Sequence, residues 1–292
     1  MIINIVIIVY IMTFKLSVEN AHELDQHILF YEENHQYKIL IDPENNYTSV
    51  TTWIHSNFEK FDADKIIDKM MKAKTWNSKN KYFGMTKKQI KDQWTQNGKD
   101  VSSQGTLLHF YIEQFMNLTS LEKTQCTHSD LKEILMASKP FSDPIIDSIE
   151  WQYFINYIDI FPNFVPYRTE WIIYDTELKI AGSIDMVYKN EDGTLMIYDW
   201  KRCKDITKNN TFNKYAITPC LDTVPDTNFW HYSLQLNIYK YILEKNYGVT
   251  ISKLYLVQLH PSSKNYNLIK VPDLSNTILL LVQDRLSKLK KN

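Results

Sequence analysis

The stretch Ala181-Gly182-Ser183-Ile184-Asp185-Met186-Val187-Tyr188, then Lys189-Asn190-Glu191-Asp192-Gly193, then Thr194-Leu195-Met196-Ile197-Tyr198-Asp199-Trp200-Lys201 decides how the rest of the chain is read. Two runs rich in β-branched and aromatic residues flank a polar loop that ends in glycine, which predicts a β-hairpin. Side chains alternate faces along a strand, so Asp199 and Lys201 share a face with Leu195 and Ile197, while Met196, Tyr198 and Trp200 point the other way. In the partner strand Asp185 shares a face with Ser183 and Val187, and a suitable register brings it near Asp199. Two acids beside a lysine at the end of apolar strands suit a Mg2+ site, because hard cations take oxygen ligands and hold few protein carboxylates alongside substrate phosphate. Taken alone, an Asp-x-Lys is common by chance and reads as strand-end acids with a solvated lysine neighbour.

Two further features argue against that bland reading. A helical stretch upstream carries Gly105-Thr106-Leu107-Leu108-His109, and one downstream carries Gln235-Leu236-Asn237-Ile238-Tyr239. Gly-x-x-x-His, Gly-x-x-Asp, Asp-x-Lys and Gln-x-x-x-Tyr in this order resemble the RecB-type branch of the PD-(D/E)XK nuclease superfamily. The resemblance spans about residues 105–241, and it rests on order and spacing because each motif alone is weak. The second acid is Asp199 where many members have Glu, and no Pro precedes Asp185, but neither departure removes a ligand.

The resemblance implies an α/β fold with a restriction-endonuclease-like core, a mixed central β-sheet flanked by helices. Residues 100–292 would form that core and 1–99 a mainly helical N-terminal elaboration with a small hairpin. It also implies Asp185, Asp199 and Lys201 as catalytic residues. Mg2+ or Mn2+ would be held by Asp185, Asp199, the main-chain carbonyl of Trp200 and His109. An acid often stands where Glu170 does in such sequences, which makes Glu170 a third carboxylate candidate beside a surface reading. Gln235 and Tyr239 would contact the substrate backbone near the scissile phosphate. The layout is similar to that of the mitochondrial genome-maintenance exonucleases, which implies a DNA exonuclease acting on single strands or ends. Its rivals are an RNA endonuclease of the cap-snatching kind and a non-catalytic nucleic-acid-binding partner. The Gln-x-x-x-Tyr helix speaks against the first, the intact acids and lysine against the second.

Composition bounds the chain without naming its chemistry. With 292 residues, 44% hydrophobic and 13% aromatic, it can bury a sizeable core in one large domain or two small ones. Few Gly and abundant Tyr, Asn, Lys and Ile suggest an AT-rich coding genome, consistent with a viral origin. The net charge of −1 advertises no polyanion partner, yet residues 60–99 hold eleven lysines against four aspartates. In that segment Lys72, Lys74, Lys79, Lys81, Lys87, Lys88 and Lys91 are interleaved with Trp76, Tyr82, Phe83 and Trp94. Phosphate contacts plus base stacking fit this pattern, and so does a solvated helical face with its aromatics turned inward.

Three scattered cysteines, Cys126, Cys203 and Cys220, point to an intracellular reducing compartment and cannot supply the four ligands of the iron–sulfur cluster found in some RecB-type nucleases. The apolar opening Ile2–Ile11 is shorter than the roughly 20 residues a membrane helix needs and lacks a basic flank and cleavage site, so no stable membrane association is expected. It reads as a strand, or as an extension ahead of a start at Met12.

Along the chain, 27–31 and 36–41 predict a small hairpin, and 49–58 and 62–74 predict helices. Thr86-Lys87-Lys88-Gln89 resembles a capping box whose helix Gly98 ends, with Asp100 capping the helix that carries His109. In the latter, Leu108, Ile112 and Phe115 face the core, while His109 lies beside the stripe and Glu113 is taken as exposed. A histidine so placed is usually a hydrogen-bonded structural residue; Gly105 and the downstream acids favour active-site contact. Asp143-Pro144 predicts the start of a helix running to Tyr157, 168–174 a strand, 204–226 a long loop over the site, 229–246 a helix, 252–260 a strand, and Asp273 the cap of a last helix.

Overall fold

The computed structural model describes residues 15–118, 125–141, 144–210 and 213–291. The apolar opening and the Asp143 cap lie outside these residues. In chain order the elements are α1 (residues 15–19), β1 (Ile28–Tyr31), β2 (Gln36–Ile39), β3 (Thr48–Ser49), α2 (Val50–His55), α3 (Ala63–Met71) and α4 (Lys87–Met116). Then follow α5 (His128–Ser138), α6 (Ile149–Ile160), β4 (Val165–Asp175), β5 (Ile180–Lys189), β6 (Leu195–Lys201), α7 (Asn228–Asn246), β7 (Ile251–Gln258), β8 (Asn267–Lys270) and α8 (Ser275–Leu289).

The predicted hairpin is present as β5 and β6, paired antiparallel from Lys189↔Leu195 to Met186↔Tyr198. Gly193 adopts φ 83° in its turn, a left-handed conformation that glycine enters without steric cost. The hairpin sits inside a mixed six-stranded sheet: β4 runs antiparallel to β5, β6 pairs parallel with β7, and β7 antiparallel with β8. Helices cover both faces, so the central strands are apolar on both sides and read as near-continuous hydrophobic runs. Leu195 and Ile197 pack with α2, α7 and α8 in one core layer. Met196, Tyr198 and Trp200 pack with α5, α6 and the C-terminal part of α4 in the other, as the alternation predicted for β6.

In β5 the alternation fails at Asp185. Ile184 and Val187 both belong to the first layer although they are three positions apart, an odd spacing, so the strand changes face here. The sheet is also interrupted at this point. β4 occupies one edge of β5 throughout, while β3 pairs with the other edge only at Ile180 and Ala181 and β6 only from Met186 onward. Gly182 to Asp185, the Gly-x-x-Asp motif, therefore spans a gap between two neighbours.

Elsewhere the structure corrects several expectations. Gly98 ends no helix and Asp100 caps none, because α4 runs unbroken for 30 residues from its Thr86 capping box. Asp100 instead accepts a hydrogen bond from Gln96 Nε2 one turn earlier (2.8 Å), and a solvent-facing helical glycine costs only about 1 kcal/mol relative to alanine. Residues 99 and 100 both lie within α4, and β3 and α2 pack into the sheet and its core. After a 3-10 turn at Pro144–Asp147, Ser148 caps α6. The cap of α8 is Leu274, with Asp273 accepting from Ser275 N–H. Helix α5 and strand β8 were not anticipated: α5 has a weak apolar stripe, and β8 is a four-residue edge strand.

Candidate active site

His109 leaves α4 beside the buried stripe of Leu108, Ile112 and Phe115, and this anchoring aims its ring at the end of the hairpin. Its Nε2 lies 3.0 Å from the Trp200 carbonyl oxygen. A carbonyl can only accept, so Nε2 carries the hydrogen and Nδ1 of the neutral ring presents a lone pair. That lone pair faces Asp185 Oδ2 at 3.5 Å and Glu170 Oε1 at 4.0 Å. One ligand atom from each of His109, Glu170 and Asp185 lies within 4.8 Å of the others. With both carboxylates ionised, three acceptors converge without a donor between them, an arrangement that fits a small, hard cation, which would replace mutual repulsion with attraction.

The strands bring the acids together in different ways. Thr169↔Met186 and Trp171↔Ile184 bracket Glu170 and Asp185, which therefore face each other across the β4–β5 ladder. Glu170 holds φ 42°, a left-handed conformation that costs a non-glycine residue about 1–3 kcal/mol and persists where surrounding structure enforces it. Ser183 Oγ donates to Glu170 Oε2 (2.9 Å). On the open edge, Trp200 N–H donates to Asp185 Oδ2 (2.9 Å), a side-chain bond where the β5–β6 ladder has stopped. Asp199, only 2% exposed, is one position beyond Tyr198, the last β6 residue paired with β5, and contacts Lys201 Nζ at 2.6 Å. The Lys201 ammonium also lies over the Tyr232 ring of α7, 4.5 Å from its centroid.

Glu170 faces the cluster, with 37% of its side chain still exposed. Asp199 is engaged with Lys201, and the Trp200 carbonyl is engaged by His109. Glu113, taken as exposed, is half-buried and lines the same 680 Å³ cavity as His109, Glu170 and Ser183. Its place one turn after His109 was the signal; which face would close over it was not in the local pattern.

Electrostatics follow from crowding. Burial raises Glu170 to about 8, with the Asp185 charge adding to it. Burial raises Asp185 despite the nearby Lys201 charge. Burial and Asp185 bring Asp199 to about 6, against the pull of Lys201. Burial alone takes Glu113 to about 7. His109 falls to about 4, through burial and the Lys201 charge, and is neutral at pH 7. Burial would lower Lys201, but Asp199 and Asp185 outweigh it and hold the ammonium above its ordinary value.

An acid with a folded pKa above its unfolded one binds its proton more tightly when folded. Its stabilisation is complete at low pH and is lost as pH rises through the folded value. His109 acts oppositely, but only below about 6.5, the unfolded histidine pKa. With chelator present, the unfolding temperature should therefore fall between about pH 6.5 and pH 8 as Glu113 and Glu170 ionise. Added Mg2+ or Mn2+ should recover the loss at pH 8 more than at pH 6.5. Scanning calorimetry over that range checks this, and a cation effect equal at both pH values would dissociate the cation from these carboxylates.

The Gln-x-x-x-Tyr helix meets the hairpin at Gly182. A Cβ at Gly182 would come within 2.7 Å of Tyr239 Cε1, so close approach, and not an unusual φ, demands glycine. Tyr239 is 3% exposed, and its hydroxyl accepts a bond from Gln235 Nε2 (3.0 Å), which also reaches Thr51 Oγ1 (3.4 Å). Gly182→Ala should push the ring aside and cost about 1–3 kcal/mol, or roughly 2–4 °C of melting temperature per kcal/mol. An unchanged melting curve would show that the ring has room to move.

The lysine-rich segment forms a projection built on α3 and the first half of α4. Lys91 pairs with Asp64 (2.9 Å), Lys87 with Asp68, and Lys81 covers the Tyr82 ring. Lys72, Lys74, Lys79 and Lys88 are exposed and form no ion pair among the described residues. The aromatics partly satisfy one another: Trp94 Nε1 donates to Tyr82 Oη (2.8 Å) and Trp76 packs near Phe83 (5.9 Å between centroids). Residues 95–104 are exposed on every side, as in a helix bridging through solvent. At 1.5 Å per residue, Lys91 stands about 27 Å along α4 from His109.

A family profile described as the PD-(D/E)XK nuclease superfamily matches residues 79–290. No curated protein matches the chain. Among solved structures, SSO0001 is 18% identical with a TM-score of 0.26, covering 54% of this chain and 64% of its own. A candidate exonuclease from Eubacterium rectale is 15% identical with a TM-score of 0.32, covering 64% of this chain and 68% of its own. The chain thus spans just under two thirds of the first of these and just over two thirds of the second. No described helix is long and apolar enough to cross a membrane.

Proposed function

The chain belongs to the PD-(D/E)XK nuclease superfamily, and on that premise we propose that it is a metal-dependent DNA exonuclease acting on single strands or ends during replication, repair or recombination. The observation that carries the reading is the convergence of His109, Glu170 and Asp185 beside the Asp199–Lys201 pair. Residues 1–99, whose β3 and α2 also complete the sheet and its core, would then include the elaboration that guides substrate to the catalytic core in 100–292.

His109, Glu170 and Asp185 would hold Mg2+ or Mn2+, with Asp199 next to them. Such a cation, when bound, lowers the pKa of its water and offsets charge developing on the phosphate. The chain's own groups do the rest. Lys201 stays an ammonium, because Asp199 and Asp185 hold its proton, so it orients the attacking water or stabilises negative charge and does not act as a free base. Asp199 fixes where that ammonium sits. His109, neutral at pH 7, offers Nδ1 to the site while Trp200 O pins its ring. Gln235 faces the substrate strand with Tyr239 as its brace, and the exposed Lys72, Lys74, Lys79 and Lys88 attract the phosphate backbone.

The test is cleavage of end-labelled single- and double-stranded DNA and RNA, linear and circular, with Mg2+, Mn2+ or chelator. Metal-dependent shortening of linear DNA with circles spared supports the proposal. Cut circles would make the protein an endonuclease, and cleavage confined to RNA would favour the cap-snatching type. Retarded but uncut nucleic acid in every lane would leave a binding partner.

A further inference from the structure

Beyond Gln235, helix α7 continues its polar, half-buried row to His231, one turn earlier. Helix α2 runs beside it in the opposite sense, and the two match turn for turn. Thr51 contacts Gln235, and His55 lies against His231 with 5.4 Å between ring centroids. Tyr239 to His231 covers about 12 Å at 1.5 Å per residue. The row leads from the hairpin gap into a cleft of 1210 Å³ between the body and the base of the lysine-rich projection.

The cleft has the wrong charge balance for a simple phosphate trap. Its acids are already engaged: Glu59 with Lys214 (2.7 Å), Asp62 with the Lys65 N–H (3.0 Å), Asp64 with Lys91 (2.9 Å) and Asp226 with His231 Nε2 (3.0 Å). What it offers instead is aromatic surface. Phe61 projects into the cleft 73% exposed, an unusual state for a large apolar ring. It rests near Trp94 (6.1 Å), while Phe58, 3% exposed, packs against His231 (4.1 Å) and holds that ring at the cleft. A flat π-face in a charge-balanced cleft, reached along a row of polar side chains, suits an unpaired base and excludes one stacked inside a duplex.

We propose that this cleft is a nucleobase-stacking subsite for single-stranded substrate, with a base on Phe61 and the adjoining backbone passing along His55, His231 and Gln235. The inference rests on the nuclease reading and adds the source of its strand preference.

Fluorescence anisotropy with labelled oligothymidylate and labelled duplex DNA, in chelator, tests it on the full chain. Phe61→Ala should weaken oligothymidylate binding at least about fivefold, Phe61→Trp should preserve it, and duplex binding should change for neither. Scanning one abasic position along the oligonucleotide should find a site that weakens wild-type binding and not that of Phe61→Ala. Melting curves verify that the variants fold, as the exposure of Phe61 leads one to expect. If the wild type cleaves single strands and Phe61→Ala binds them within twofold of wild type, the subsite is wrong and the nuclease reading stands. If the wild type neither binds nor cuts any nucleic acid, both fall.

Discussion

Asp185→Asn is expected to lower cleavage by at least about 100-fold while leaving the protein as stable as the wild type or more so. The two effects have one cause. Asp185 stands between Glu170 and the Asp199–Lys201 pair, and burial already raises its pKa. Directly opposed like charges across a ladder are destabilising, so removing the central one relieves both neighbours. Asparagine keeps an oxygen for Trp200 N–H, which Asp185 Oδ2 now accepts at 2.9 Å, so the strand end is still tied. It cannot supply the anionic oxygen that faces His109 Nδ1. Single-turnover cleavage and thermal melting on the same preparation check both halves, and oligonucleotide binding should change little. Cleavage within tenfold of wild type would remove Asp185 from the chemistry, and a lost melting transition would make it structural.

How much of this was legible depended on the range of the interaction. The faces of β6 followed from its own alternation, because each residue in Leu195–Lys201 keeps the period of two. Those of β5 did not, because the gap between β3 and β6 is created by partners from 130 residues upstream and a dozen downstream. Gly98 and Asp100 carried the usual marks of a helix end, yet a helix anchored at Thr86 and again at Leu108 carries the intervening turns along. The candidate site was legible as a set of residues, since motif order reflects which elements meet. Its internal pairing was not: only the β4–β5 register turns Glu170 toward Asp185, and only the fold of α4 over the cavity half-buries Glu113. The α2–α7 row was invisible, because Thr51 and His55 lie 184 and 176 residues from the partners they meet.

The second large effect is expected at Lys201, and its signature is a stability loss that depends on pH. The ammonium is the counter-charge of Asp199, which has 3% of its side chain exposed. Methionine keeps the aliphatic stem against Tyr232 but withdraws the charge. Breaking a buried ion pair by deleting one partner costs about 3–5 kcal/mol, since an unpaired buried charge remains. Asp199 can escape that cost by taking a proton, so its pKa should climb further above about 6. The Lys201→Met deficit should then be small at pH 5, where the proton is available, and largest near pH 8. Cleavage should fall about 100- to 1,000-fold at both pH values, because the group that orients the water or offsets phosphate charge is gone at either. Adding Asp199→Asn should restore most of the stability and none of the activity, which separates the pair's electrostatic debt from its chemical role. Denaturant unfolding at pH 5 and pH 8 for the two single variants and the double variant checks the cycle. A Lys201→Met protein equally stable at both pH values would mean that solvent, and not Lys201, compensates Asp199, and cleavage within a few-fold of wild type would take the lysine out of the mechanism.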